Sequence, residues 1–76
     1  MKNDDKQLRD TIRKNLIDLR TAHGLTQADV GQIVGRSTNA VGSWEQGLSM
    51  PDIITLYALS KYYNKSLEFM YGEAEK

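Results

Sequence analysis

Apolar residues recur along this chain three and four positions apart, the spacing that lines up one face of a helix, and no stretch alternates as a strand would. Leu8, Ile12, Leu16 and Leu19 form one such stripe, which predicts a first helix ending near His23 with Gly24 as its stop. Thr26 restarts the pattern as an N-cap. Asp29, three residues on, takes the capping-box position near the positive end of the helix dipole. That second helix is short and ends at Val34, before Gly35. Ser37 caps a third helix running to Gln46, with Gly47 beyond it. Leu48 to Pro51 reads as a loop, and Asp52 caps a fourth helix whose Ile53, Leu56, Leu59, Ser60 and Tyr63 are expected to face inward before Asn64 stops it. Ser66 caps a last turn or two, through Tyr71, with Gly72 as the stop. The pattern predicts an all-α, five-helix fold forming a single domain over 1–76, its folded core spanning 6–72.

The segment 27–46 carries the most information: two short helices joined by a tight turn containing glycine, which is the spacing of the DNA-binding helix-turn-helix. Gly31 lies where the third helix is expected to cross closely, so a larger side chain would hold the two helices apart. Gly35 supplies the positive φ that the sharp turn requires. Val30, Val34, Val41 and Trp44 are the apolar residues that would lock the pair against the first and fourth helices. At about 100° per residue, Thr38, Asn39, Gly42, Ser43 and Gln46 fall within an arc of roughly 140°, while Ala40, Val41 and Trp44 fall on the other side. The polar arc holds no acid and is rich in short donors and acceptors suited to base edges and phosphates. Gly42 costs about 1 kcal/mol relative to alanine inside a helix. Its place in the middle of that arc suggests a backbone left bare for close approach to DNA.

Gly24-Leu25-Thr26-Gln27, Val30-Gly31, Gly35, Val41, Trp44-Glu45-x-Gly47 and Pro51 together resemble the Cro/repressor (XRE) helix-turn-helix family, whose domains are lambda-repressor-like. The resemblance runs from about Leu16 to Gly72 and includes Leu67-Glu68-x-Met70-x-Gly72. It implies that Gln27 holds a phosphate and braces the third, recognition helix. It further implies that Ser37, Thr38, Asn39 and Ser43 face base edges or adjacent backbone, and that Gln46 contacts phosphate. Arg20 and Glu45 match a family pair that ties the first helix to the recognition helix, a structural role. Two positions depart from the pattern: Arg36 stands where the family is usually apolar, so its side chain is expected outward toward a phosphate. The loop Leu48-Ser49-Met50 lacks the basic residues that many relatives place against DNA.

Charge sharpens this picture. Ten basic and ten acidic side chains cancel, which argues against a binder that holds any nucleic acid by charge alone. The basic excess sits at one end: Lys2, Lys6, Arg9, Arg13, Lys14 and Arg20 in the first twenty residues, against Glu68, Glu73 and Glu75 near the other end. Read plainly, the N-terminal charges form a mixed, solvated helix face. Trp44 reads as a core anchor, His23 as a structural or solvent-facing residue near a helix C-terminus, and Met50 as loop packing. Leu67 and Met70 are expected inward, with Phe69 or Tyr71 outward as candidate dimer contacts.

With no cysteine and one histidine, neither a disulfide nor a structural zinc site is expected. The charged N-terminal residues read as neither signal peptide nor anchor, so a cytoplasmic setting is expected. The chain offers no nucleophile elbow, phosphate-binding glycine loop or paired carboxylates, hence no catalytic residue, no cofactor and no small-molecule substrate. The expectation is a sequence-specific regulator of double-stranded DNA, a prophage-type repressor binding a palindromic operator as a homodimer, with no membrane partner. The competing reading is a protein-interaction module of the same fold that has given up DNA.

Overall fold

The computed structural model describes residues 5–72 and contains five helices: α1 Asp5–Ala22, α2 Gln27–Val34, α3 Thr38–Gln46, α4 Ile53–Tyr63 and α5 Leu67–Met70. Lys2, Glu73 and Glu75, which figured in the charge balance, lie outside the described residues. The predicted caps are where hydrogen bonds show them. Thr26 accepts from the Asp29 amide while Asp29 accepts from the Thr26 amide, at 3.0 and 2.9 Å, a complete capping box. Ser37, Asp52 and Ser66 likewise accept from the amides of Ala40, Thr55 and Phe69. Three of these four short helices end in a left-handed residue, at Gly35, Gly47 and Asn64.

One core fills the space between the helices. Leu16 and Leu19 of α1, Val30 of α2, Val41 and Trp44 of α3, Leu56, Leu59 and Tyr63 of α4, and Met70 of α5 are all buried. Ile12, Val34 and Leu67 pack against their edge. The stripe predicted on α1 is real, but its burial deepens toward the C-terminal end, where α3 and α5 cover it. Asn15, in the middle of α1, donates from Nδ2 to the carbonyls of Phe69 and Met70 at 3.2 and 3.4 Å. That contact anchors a four-residue helix too short to hold itself. His23 hydrogen-bonds the Leu19 carbonyl through Nδ1 and packs against the Tyr63 ring, a structural role. Burial pushes the Tyr63 phenol up to about 12.

One inward placement differs from the sequence reading. Ile53 was expected inward but is 56% exposed. It opens α4, one residue after the cap, and the buried arc of that helix runs instead through Thr55, Leu56, Leu59, Ser60 and Tyr63. Thr55 therefore takes the interior place assigned to Ile53. Of Phe69 and Tyr71, one or other of which was expected outward, Phe69 is half-buried against the core with the Lys65 ammonium 4.8 Å from its ring centroid. Tyr71 does remain exposed. The widest apolar exposure lies elsewhere, at Leu48, Ile53, Ile54, Tyr57 and Tyr62. No helix among the described residues is long and apolar enough to cross a membrane.

Candidate nucleic-acid interface

The turn between α2 and α3 is built on the backbone of Gly31. The Arg36 amide donates to the Gly31 carbonyl at 2.8 Å, and Gly35 takes the left-handed φ of 71° that the reversal needs. A Cβ placed on Gly31 would sit 2.6 Å from the Arg36 carbonyl oxygen and 3.3 Å from the Ser37 carbonyl carbon. The neighbour that excludes a side chain here is thus the turn itself, just ahead of α3, rather than the body of the third helix. The consequence is the same: the entry of α3 is fixed relative to α2.

A buried polar network then fixes its far end. Arg20 on α1 holds Glu45 on α3 with both arms of its guanidinium, Nε to Oε2 at 2.6 Å and Nη2 to Oε1 at 3.0 Å. Its remaining Nη1 donates to the Leu25 carbonyl at 2.9 Å. The hydrogen bonds to Glu45 raise the Arg20 pKa further above its usual range. Gln27 adds a third donor, its Nε2 reaching Glu45 Oε1 at 3.0 Å. One carboxylate therefore ties α1, the start of α2 and α3 together, and both the expected Arg20–Glu45 pair and the bracing of α3 by Gln27 are present.

Held at both ends, α3 turns Val41 and Trp44 into the core and leaves Thr38, Asn39 and Gln46 exposed, with Ser43 half-buried beside them. The side chains of Thr38, Asn39, Ser43 and Gln46 make no hydrogen bond within the described residues, so their donors and acceptors stay available. Ser37 is exposed too, but its oxygen is committed as the cap of α3, leaving its hydroxyl proton to donate. Gly42 is the correction on this face. It is buried rather than bare, because the Gln27 amide lies across it: an added Cβ would stand 3.5 Å from Gln27 Oε1. A helical wheel sees one helix at a time and cannot show a side chain arriving from α2. The 3.5 Å separation is ordinary van der Waals contact, so the Gln27 side chain rests on Gly42 without requiring a glycine there.

Arg36 points outward, as expected, and it has a partner that no periodicity could reveal. Its Nη2 lies 3.4 Å from Asp52 Oδ2, while Asp52 Oδ1 accepts from the Thr55 amide as the cap of α4. The Thr55 amide chiefly, with a smaller part from Arg36, lowers the Asp52 pKa below the usual carboxylate range. Along α1 the basic side chains are mostly paired along the helix, Lys6 and Arg13 with Asp10 and Lys14 with Asp18, the mixed face the sequence predicted. No group of three or more His, Cys, Asp or Glu side chains among the described residues could hold a metal ion.

Comparison with known proteins adds to this geometry. The helix-turn-helix family model matches residues 16–70. The HTH-type transcriptional regulator PuuR of Escherichia coli (strain K12) is 35% identical over 63 residues, which is 83% of this chain and 34% of PuuR. The protein of the same name from Shigella flexneri matches to the same extent. The chain spans about a third of the length of these curated relatives. A transcriptional regulator from Listeria innocua superposes with a TM-score of 0.78 at 26% identity, covering 86% of this chain and 61% of that one. The P22 c2 repressor, solved in complex with synthetic operator 9T in the presence of Tl+, superposes with a TM-score of 0.72 at 29% identity, covering 78% of this chain and 89% of its own.

Proposed function

This chain belongs to the helix-turn-helix family of the Cro/repressor (XRE) type, and from that premise we propose that it is a DNA-binding transcriptional regulator that reads sequence with α3 in the major groove. The observation that carries the proposal is the outward, acid-free face of Thr38, Asn39, Ser43 and Gln46 on a helix locked by buried Glu45. In this reading Thr38, Asn39 and Ser43 address base edges, Ser37, Arg36 and Gln46 address phosphates, and Gln27 both braces α3 and meets the backbone at the start of α2. Gly42 lies beneath the Gln27 side chain within this face. The solved P22 c2 repressor binds its operator, and the finer proposal follows that likeness: a cytoplasmic, prophage-type repressor acting on a palindrome as a homodimer, not an enzyme, with all of 1–76 in one domain. Half-sites would then lie roughly 34 Å apart, one turn of the duplex. Exposed Tyr71 and the apolar residues from Leu48 along the outer side of α4 are what support self-association.

Selection of bound duplexes from a randomised pool tests the reading. The parent protein is expected to return a defined motif, and Asn39→Ala to lose about 1–3 kcal/mol of preference at one position of each half-site. A parent that retains no duplex at low salt would point instead to the protein-interaction reading. An unchanged motif for Asn39→Ala would remove that residue from the reading face.

A further inference from the structure

A cleft runs between the N-terminal half of α1 and the C-terminal end of α3, lined on α1 by Asp5, Lys6, Arg9, Asp10 and Arg13 and at the end of α3 by Gln46 and Gly47. Resting on the DNA-binding reading above, we propose that this cleft is a second phosphate subsite, in which Arg9, Arg13 and Gln46 take a backbone phosphate of the duplex beyond the C-terminal end of the reading face.

Three observations converge on it. First, Asp10 is already committed: its carboxylate pairs with Lys6 at 3.1 Å and Arg13 at 3.7 Å, and the Lys6 hydrogen bond is the main cause of its lowered pKa. Arg9, one turn before Arg13 on the same side of α1, has no carboxylate partner among the described residues. A cleft lined by three cations and two acids carries an excess of one positive charge, which favours an anion. Second, the Arg13 stem is laid across the end of α3, with its Cδ and Nε 3.4 and 3.6 Å from where a Cβ on Gly47 would be. Neutralising the negative end of α3 would explain Arg13 alone, but it leaves Arg9 unexplained. Third, Gln46 belongs both to the cleft and to the polar arc of α3. Its side-chain amide makes no hydrogen bond within the described residues, so a phosphate held by the arginines would find a neutral donor beside it.

The subsite also resolves a difficulty of charge. A chain with no net charge, whose Leu48-Ser49-Met50 loop carries no cation, has few other places from which to neutralise phosphates. Arg36 stands at the entry of α3 and this cleft at its exit. The recognition helix is thereby flanked by a guanidinium at each end, which would set its register along the groove without reading sequence.

The test is the salt dependence of affinity, measured on the selected duplex and on mixed-sequence DNA. Each phosphate contact contributes about 0.9 to the slope of log K against log salt, so an Arg9→Gln, Arg13→Gln double variant is expected to reduce that slope by about 1.8. Affinity should fall roughly tenfold per contact at 0.1 M salt, equally on both DNAs, with the selected motif unchanged. Lys61→Gln, which removes one positive charge on α4, should leave the slope as it was. If the double variant loses thermal stability, Arg9→Gln alone carries the test, since Arg9 is exposed and has no partner among the described residues to lose; its slope should fall by about 0.9. A slope and affinity equal to the parent's, or a loss no larger than that of Lys61→Gln, overturns the subsite while leaving the DNA-binding reading intact. A parent that binds neither DNA overturns both.

Discussion

Glu45 is the residue on which the geometry turns, because its carboxylate accepts from Arg20 twice and from Gln27 once while only 8% exposed. Removing a buried acceptor costs far more than the pair gains over an apolar substitute, since the guanidinium left behind has lost its compensation. Glu45→Ala is therefore expected to destabilise the domain by about 3 kcal/mol, a large share of the roughly 5 kcal/mol available to so small a fold. Arg36 and Asp52 are also paired, but both are exposed, and water screens them. Arg36→Ala should change stability by less than about 0.5 kcal/mol while weakening DNA binding. Urea denaturation of the two variants checks the contrast; equal losses would mean that burial does not decide the worth of these pairs. Family resemblance marked Arg20 and Glu45 from the sequence, but Asp52, read there as a cap, gave no sign of its pairing with Arg36. It lies sixteen residues from its partner, across a turn and a loop, and no helical repeat links them.

At the scale of elements, caps and stops were legible because they act locally: Thr26 with Asp29, Ser37, Asp52 and Ser66 each signal within three residues of the amide they receive. The pattern fell short where burial depends on a neighbour far along the chain. Ile53 has the hydropathy of a core residue, but nothing covers the first turn of α4 on its side, whereas the less apolar Thr55 is enclosed. Phe69 is half-buried because a three-residue link folds α5 back onto α4 and α1, which pattern alone does not report. Gly31 was identified for a close approach, and the structure names the approaching group as the carbonyl of Arg36. Because that neighbour is backbone, even a methyl group must push the turn away. Gly31→Ala is expected to cost about 1–3 kcal/mol and to weaken DNA binding together with stability. A melting temperature and affinity matching the parent's would show that the turn yields freely.

Taken whole, the described residues form a body of 35 × 28 × 21 Å in which α1, α4 and α5 act as a frame and α2 and α3 as the part presented outward. In the proposed reading a neutral chain binds DNA because a guanidinium stands near each end of α3, Arg36 at its entry and Arg13 at its exit. In that reading, specificity rests on a few short side chains of a helix whose position is fixed by Glu45 below and Gly31 beside it. Backbone amide shifts, followed by NMR as the selected duplex is added, test that arrangement most directly. The account predicts large changes at Gln27, Arg36, Thr38, Asn39 and Ser43, with little change at buried Leu59 and Ser60. Changes concentrated along α4 and α5, with Thr38, Asn39 and Ser43 unmoved, would contradict it.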